Sequence, residues 1–293
     1  THDEKINEIL KIRKLNLEKE KEKTINQFKQ IISFIINHDF SKYIISRKPN
    51  EPQKIRYNLI NACKNGNFKT MDSFTRKIIS FEKIEYALFE EDKTAAIFHV
   101  GYDVFNDVHI PRSVQYNGED YVITVINSNA FQLTNVWEIS FAENSELKLI
   151  DDEAFYNCGL RIINVPSKVT RIGKKAFFYS NQFLQANFTD DSQLEEIDNE
   201  AFSGTKIGSI TFPSHLKRIG FAAFNNCHHL KTVNFKDDCE LDTFETYVFN
   251  QCPFESIKVP QNLKAICYRA FSQCVNLKTI EIPDNSQLST IEE

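Results

Sequence analysis

One phrase recurs seven times between residues 126 and 271: an isoleucine, once replaced by phenylalanine, stands five residues before a phenylalanine. The seven pairs are Ile126/Phe131, Ile150/Phe155, Ile172/Phe177, Ile197/Phe202, Ile219/Phe224, Phe244/Phe249 and Ile266/Phe271. Successive closing phenylalanines, called ladder Phe below, lie 24, 22, 25, 22, 25 and 22 residues apart. A near-fixed period of this length is typical of solenoids, in which each repeat stacks only on its neighbours. The period therefore predicts a solenoid, and it favours a binding surface over a catalytic pocket.

A second phrase follows each ladder Phe by five or six residues and predicts a strand. It reads apolar-x-x-apolar-x-apolar, as in Leu160/Ile163/Val165 and Ile207/Ile210/Phe212. Because its last two apolar positions alternate with mostly polar ones, one face should point inward. Stacked once per repeat, these strands should form a parallel ladder with a spacing of about 4.8 Å.

The polar positions of these strands should point outward and form two rows. The first is Ser140, Asn164, Asn187, Thr211, Asn234, Lys258 and Glu281. The second is Glu138, Ile162, Gln185, Ser209, Thr232, Ser256 and Thr279. We take the first row, with Trp137 and Arg161 at its edge, as the candidate partner-binding residues, since solenoids use strand-lined faces for ligands. A polar, solvated face without a ligand is the alternative.

A longer period of 46–47 residues is superimposed on the short one. Short repeats leave the strand through Pro166, Pro213 and Pro260, whereas long repeats leave it through acidic loops such as Asp190-Asp191 and Asp237-Asp238. We expect solvated loops here, with a cation or basic-partner site as the alternative. Loops two strands apart, about 10 Å, are too distant to share Ca²⁺ ligands.

The chain before the repeats should be helical at first. Ile25, Phe28, Ile31 and Ile35 recur at helical spacing, and a second helical region is expected from about Tyr57. Further on, Asn117-Gly118 predicts a β-hairpin that would cap the first repeat. We therefore predict an α+β fold with three parts: a basic helical region at 1–90, a hairpin cap at 91–125 and a repeat solenoid at 126–293, with the last repeat incomplete.

Charge is distributed unevenly along the chain. Counting Lys and Arg against Asp and Glu, residues 1–90 carry a net +6 and residues 91–293 a net −11, which suggests two functional surfaces. The basic part lacks interleaved aromatic residues and a nucleic-acid motif, so we expect no nucleic-acid partner. No apolar run reaches the length of a membrane span, and the start shows no signal peptide. The last residues resemble the start of another repeat, so we expect the sequence to be a fragment.

Four of the seven cysteines stand three residues after a ladder Phe: Cys158, Cys227, Cys252 and Cys274. A recurrent position of this kind indicates a small buried side chain, so we expect these thiols to be reduced and shielded. Cys239 lies in an acidic loop and should be exposed and more reactive.

Catalytic and phosphate-binding motifs are absent from the sequence. Cys227-His228-His229 lacks partner ligands at metal-binding spacing. The sequence therefore predicts no enzyme, no cofactor and no metal.

Two repeats carry a specific resemblance. The segments 160–177, LRIINVPSKVTRIGKKAF, and 207–224, IGSITFPSHLKRIGFAAF, resemble the BspA-like (type 5) leucine-rich repeats, and so does the chain over about residues 105–293. This resemblance implies a leucine-rich-repeat solenoid and a surface or secreted adhesive protein that binds protein partners without enzymatic activity. The basic start of the chain and the lack of a visible signal peptide support an alternative: an intracellular scaffold or cytoskeleton-associated protein. The location, cell surface or cytoplasm, stays open.

Overall fold

A computed structural model describes residues 77–102 and 104–292 of this protein. Within these residues every regular element is a β-strand, and the described residues belong to one compact unit. It is a β-solenoid of about seven turns, each built around one ladder Phe. The prediction of an α+β fold is therefore wrong: the described chain is all-β.

The described part of the predicted helical region is a hairpin. β1 (Lys77–Phe81) and β2 (Ile84–Phe89) pair in antiparallel fashion around Glu82 and Lys83, whose φ angles are 48° and 65°. The alternating residues Ile84, Tyr86 and Leu88 are buried in the core, as the strand period of two requires. The helices expected before residue 77 lie outside the described residues.

Two more strands complete the N-terminal end of the fold. β3 (Thr94–Val100) pairs with β2 in antiparallel fashion, and β4 (Phe105–Ile110) starts the long-strand side of the solenoid. The predicted hairpin is confirmed: β5 (Ser113–Tyr116) and β6 (Glu119–Ile126) pair around Asn117 and Gly118, both with positive φ. However, the strand that pairs with β6 on the side away from the repeats is β3. The end of the sheet is therefore covered by β1–β3 and not by the β5–β6 hairpin.

Short two-residue strands carry the ladder Ile and continue this sheet without interruption from β6. They are β8 (Leu149–Ile150), β10 (Arg171–Ile172), β12 (Glu196–Ile197), β14 (Arg218–Ile219), β16 (Thr243–Phe244), β18 (Ala265–Ile266) and β20 (Thr290–Ile291). Equivalent residues pair in register, for example Ile172 with Ile150 and Ile197. The ladder Ile therefore stack directly on one another in a parallel sheet, which we call the short-strand sheet.

The second phrase of each repeat forms the longer strands, as predicted. They are β7 (Asn135–Phe141), β9 (Ile162–Val165), β11 (Gln185–Phe188), β13 (Ser209–Phe212), β15 (Thr232–Phe235), β17 (Ser256–Lys258) and β19 (Thr279–Glu281). This side of the solenoid, which we call the long-strand face, is not one sheet. It divides into β4-β7-β9-β11, β13-β15 and β17-β19.

A turn segment around each ladder Phe forms the third wall of the solenoid. The N–H of each ladder Phe donates to the carbonyl of the residue before the next ladder Phe, as from Phe155 to Ala176 (2.7 Å) and from Phe202 to Ala223 (2.8 Å). The residues two before and two after each ladder Phe have positive φ, and glycine occupies only one such position, Gly204. Asparagine tolerates this conformation and occupies three of the positions, but the conformation is unfavourable for the other residue types, so the hydrogen bonds between turns must hold it.

The core is a stack of phenylalanine rings. Phe155, Phe177 and Phe202 are fully buried, and their ring centroids lie 5.0 and 4.9 Å apart with nearly parallel planes. The small residue before each ladder Phe, usually alanine, is also buried. The ladder Phe thus form a ring stack between the three walls, as the period predicts, and further buried rings, those of Phe183, Phe212 and Phe254, pack against it.

A column of small hydrogen-bonding side chains follows the ladder Phe by three residues: Thr134, Cys158, Ser180, Thr205, Cys227, Cys252 and Cys274. Ser180 Oγ donates to the carbonyl of Phe155 (2.6 Å), and Cys252 Sγ donates to that of Phe224 (3.2 Å). The cysteines at this position are therefore hydrogen-bond donors as well as small buried groups.

The six described cysteines are free thiols. Shielding is confirmed for Cys158, Cys227 and Cys252, whereas Cys274 is only half-buried. Burial raises the pKa of the Cys227 thiol to about 12. The prediction for Cys239 is wrong: this residue is 1% exposed because its side chain turns inward toward the carbonyl of Leu216, and burial raises its pKa to about 11.

Candidate functional site

The two predicted outward rows lie on the solvent side of the long-strand face. Every member of the first row is exposed except Asn187, which is half-buried, and every member of the second row is exposed. The register places Asn164 beside Asn187, Thr211 beside Asn234, and Lys258 beside Glu281. The structure thus brings these residues together in pairs, and their role in binding remains a prediction.

Hydrogen bonds between side chains organise the N-terminal part of the face. Gln185 Nε2 donates to Asn187 Oδ1 (2.7 Å), and Asn187 Nδ2 donates to Asn164 Oδ1 (2.8 Å). Ser140 Oγ lies 3.0 Å from His109 Nδ1 on the neighbouring strand β4. The result is a surface of amides and hydroxyls with both donors and acceptors available to a partner, beside the exposed carboxylates of Asp107 and Glu138.

A bulge turns Trp137 out of the strand ladder. The pairing of β4 with β7 shifts at this point, since Asn106 pairs with Val136 but Asp107 pairs with Glu138. An extra residue of this kind re-aims its side chain. As a result Trp137 is 49% exposed, although it lies between core-facing Val136 and the outward row.

Arg161 lies next to Trp137 on the following turn. Its guanidinium carbon is 5.4 Å from the Trp137 ring centroid, within cation–π distance. The backbone N–H of Arg161 donates to the carbonyl of Trp137 (3.1 Å), and that of Leu184 donates to the carbonyl of Arg161 (2.7 Å). Trp137, Arg161 and Leu184 therefore lie on three successive turns.

Exposed apolar side chains complete this cluster. Ile162 is 40% exposed and Leu184 is 48% exposed, beside Trp137 and Arg161. We call these four residues the Trp137 patch. Trp137 and Arg161 were predicted as candidates and Ile162 was placed in the second row, but Leu184 was missed. Its only sequence signal is a leucine directly before a strand.

A groove of about 500 Å³ lies at the other end of the face, where β15 and β17 form no hydrogen-bonded ladder. Three members of the first row line it: Asn234, Lys258 and Glu281. Lys231 and Lys236 add positive charge at its rim, although Lys236 also forms an ion pair with Asp190. This groove is polar and open, unlike the apolar patch at Trp137.

The acidic loops are used within the solenoid. Asp238 accepts a hydrogen bond from Ser214 Oγ in the preceding turn (2.6 Å). This contact lowers the pKa of Asp238. The hydroxyl of Ser167 contributes similarly, after that of Thr189, to the lowered pKa of Asp191. These observations favour the structural interpretation of the loops, since their carboxylates bind neighbouring hydroxyls.

No three His, Cys, Asp or Glu side chains in ranges 77–102 and 104–292 are grouped closely enough to hold a metal ion. In the segment Cys227-His228-His229, the cysteine is buried while both histidines are exposed, so their side chains do not converge. No helix among the described residues has the length and apolar character of a membrane span.

A sequence profile of the BspA type leucine-rich repeat region matches residues 95–184 and 195–293, in six copies. The chain belongs to the BspA-type leucine-rich repeat family. The resemblance inferred from residues 160–177 and 207–224 is thereby confirmed, and with it the repeat architecture. A comparison with curated proteins found no match.

Three solved structures resemble the BspA-type solenoid described above. A leucine-rich repeat protein from Bacteroides ovatus is 30% identical, with a TM-score of 0.61 over 71% of this chain and 54% of that one. A leucine-rich cell surface protein from Faecalibacterium prausnitzii is 23% identical, with a TM-score of 0.61 over 73% and 56% of the two chains. The pneumococcal vaccine antigen PcpA is 20% identical, with a TM-score of 0.50 over 72% and 71%.

The chain spans about half the length of the first two of these structures. The two structures below 25% identity support the fold alone. Family membership makes the described region a repeat module of the kind that presents a long surface to protein partners.

Proposed function

We propose that this protein is a non-enzymatic, adhesion-type recognition module that binds protein partners through its long-strand face. The observation that carries the proposal is the Trp137 patch. Tryptophan and arginine are enriched among the residues that dominate binding energy at protein interfaces. Here both occur side by side, exposed, on a rigid strand scaffold.

The surroundings of the patch support a protein ligand. A partner seated on the patch would also reach the amide and hydroxyl rows, which can supply the direct hydrogen bonds that protein interfaces typically contain. The proposed contact residues are Trp137 and Arg161 together with Ser140, Asn164, Asn187, Thr211, Asn234, Lys258 and Glu281. Contacts spread over several turns also suit multivalent binding, in which modest individual contacts add up.

The test begins with an array of purified cell-surface and extracellular-matrix proteins probed with the intact chain. Trp137→Ala should weaken binding to any partner found by about 30-fold, which corresponds to about 2 kcal/mol for a central anchor. The matched control is Phe221→Ala, which removes a similarly exposed aromatic ring (44%) from the turn segment. Equal affinity of Trp137→Ala and the unmodified chain, measured by surface plasmon resonance, would move the site elsewhere.

The adhesion role has its own measurement. An antibody raised against this chain should label intact cells that express it. Labelling that requires permeabilised cells would contradict adhesion and favour the intracellular scaffold that the sequence leaves open.

A further inference from the structure

We infer that the Trp137 patch binds an extended segment in which one carboxylate is flanked by apolar side chains. The carboxylate pairs with the Arg161 guanidinium, while the apolar side chains contact Trp137 on one side and Leu184 on the other. This inference rests on the proposed function, because it names the chemistry of the partner at that same site.

Arg161 differs from Arg171 and Arg218 in having no counter-ion among the described residues. Arg171 and Arg218 each lie within ion-pair distance of several carboxylates, including that of Asp198. Arg161, by contrast, has the Trp137 ring as its partner and no carboxylate within ion-pair distance among the described residues. A cation–π contact uses none of the five guanidinium N–H donors. These donors therefore remain available to a ligand, and their geometry matches a carboxylate.

The charge of the surrounding chain sharpens this contrast. Residues 91–293 carry a net charge of −11, so the region as a whole repels acidic partners. A carboxylate can approach favourably only where a local cation is free. On the N-terminal part of the long-strand face, Arg161 is such a cation.

The side chains that flank Arg161 on the neighbouring turns, Trp137 and Leu184, are apolar. Trp137, Arg161 and Leu184 lie on three successive turns joined by the backbone hydrogen bonds described above. Neighbouring strands are about 4.8 Å apart, so the two apolar anchors are separated by about 10 Å. Three residues of an extended chain also span about 10 Å. A short segment of the partner can thus contact all three side chains at once.

The apolar side chains around Arg161 also make some classes of ligand unfavourable. A purely apolar partner would cover Arg161 and leave its charge without water or a counter-ion, which is costly. A lone anion would gain little, because exposed ion pairs contribute almost nothing in water. A carboxylate delivered together with apolar neighbours excludes water, and the ion pair is then strengthened.

The experiment is a selection from a phage-displayed library of random 12-residue peptides against the intact chain. We expect the enriched peptides to share an Asp or Glu with apolar residues on both sides. The best peptide and its carboxamide counterpart, with Glu replaced by Gln or Asp by Asn, are then synthesised. Their affinities for the unmodified chain and for variants are measured by fluorescence polarisation.

Arg161→Gln should weaken binding of the acidic peptide by about ten- to a hundredfold, the range for loss of a charge-assisted hydrogen bond. The same variant should bind the carboxamide peptide about as well as the unmodified chain does, because the interaction is already absent. Leu184→Ser should weaken both peptides. The matched control is Arg269→Gln, since Arg269 also lies over an aromatic ring (4.8 Å from Tyr268) but on the turn segment.

Three results would overturn the inference: enriched peptides without acidic residues, equal binding of the acidic peptide to Arg161→Gln, or no enrichment at all. Should Arg161→Gln lose its native circular dichroism spectrum, Arg161→Lys replaces it and should give an intermediate affinity. The two proposals fail separately. If Trp137-dependent binding is found on the protein array while the peptide selection fails, the proposed function stands and only this ligand chemistry falls.

Discussion

The short-strand sheet and the long-strand face are built from the same turns, yet only the first is continuous. The short strands pair without a gap from β6 to β20. On the long-strand face, backbone pairing stops between β11 and β13 and again between β15 and β17. Each solenoid turn therefore contributes one side that is uniform and one side that varies. The uniform side is suited to stability and the variable side to recognition.

The positions of the gaps follow the two-repeat alternation. Both gaps fall where a long repeat is followed by a short one, that is, between an acidic-loop strand and a proline-ended strand. At the equivalent junction between β7 and β9, pairing is retained over only two residues. Within each short–long pair the strands match over three or four residues, as β9 matches β11 and β13 matches β15. On the long-strand face, short and long repeats therefore pair most extensively in twos. The short strands, by contrast, pair with both neighbours along the whole sheet.

Charged groups beside the short strands follow the same alternation but bridge successive turns. Arg171 Nη2 lies 2.6 Å from Asp198 Oδ2, and Arg218 Nη1 lies 3.2 Å from Asp198 Oδ1 and 2.7 Å from Glu196 Oε1. The short repeats supply the arginines and the long repeat between them supplies the acids. This network therefore joins turns, in contrast to the gaps on the opposite side.

The core should show the largest effect of substitution. Phe202 is fully buried between Phe177 and Phe224, with centroid distances of 4.9 and 5.2 Å. Phe202→Ala should lower the free energy of unfolding by about 3–5 kcal/mol, since it leaves a cavity within the ring stack. Thermal melts followed by circular dichroism measure this, with exposed Phe221→Ala as the control. A melt like that of the unmodified chain would contradict the stacked core.

The ion network should have an intermediate effect. Asp198→Asn removes the charge shared by Arg171 and Arg218, and it should lower the free energy of unfolding by about 1–3 kcal/mol. Burial alone would raise the Asp198 pKa, but the Asn199 N–H and the two guanidinium groups outweigh it, so the pKa is lowered.

The effect should depend on pH in a defined direction. Because the folded-state pKa of Asp198 lies below its unfolded value of about 3.9, its contribution is complete above that pH and is lost as the pH falls through the folded-state pKa. Urea unfolding at pH 6 should therefore separate Asp198→Asn from the unmodified chain, and at pH 3 the difference should shrink. A difference that grows toward acid pH would show that the sign is wrong.

The long-strand face should show the smallest effect. Asn187 is half-buried on the solvent side of the face, where it accepts a hydrogen bond from Gln185 and donates one to Asn164. Asn187→Ala should change the free energy of unfolding by about 0.5 kcal/mol at most, the usual range for surface substitutions. If urea unfolding gave a loss as large as that of Asp198→Asn, the contrast between the two sides would not hold.

The sequence predicts those parts of the fold that depend on apolar spacing. The period of the ladder Phe leads to the ring stack, and the alternation Ile163-Asn164-Val165 correctly gives the inward and outward sides of β9. The Asn117-Gly118 turn is also predictable, because both residues tolerate positive φ.

Other parts could not be predicted because tertiary contacts impose them. Glu82 and Lys83 make a tight turn without the residues that usually signal one, so β1 and β2 were mistaken for helix. Likewise, Glu153, Lys175 and Tyr247 adopt positive φ in the turn segment with no preference for it. Their hydrogen bonds to the next turn fix this conformation, and a single sequence does not reveal such bonds.

The candidate site was predictable in part for the same reason. The sequence predicts Trp137 and Arg161 as candidates because tryptophan and arginine are typical of binding hot spots and both stand at the edge of a polar row. The bulge that exposes Trp137 and the exposure of Leu184 depend on how neighbouring strands pair. Both features are determined by the strand register across turns, and a single sequence specifies this register poorly at such edges.

Backbone hydrogen bonds between proline-ended and acidic loops determine how many turns can be added to or removed from such a solenoid at once. The N–H groups of Gln193 and Glu240 in the acidic loops donate to the carbonyls of Ser167 and Ser214 in the preceding proline-ended loops. Deleting one turn would place two loops of the same kind side by side and leave these groups without their partners. Deleting or duplicating two turns would preserve every such match. For anyone shortening or extending this protein, the natural module is therefore a block of 46–47 residues.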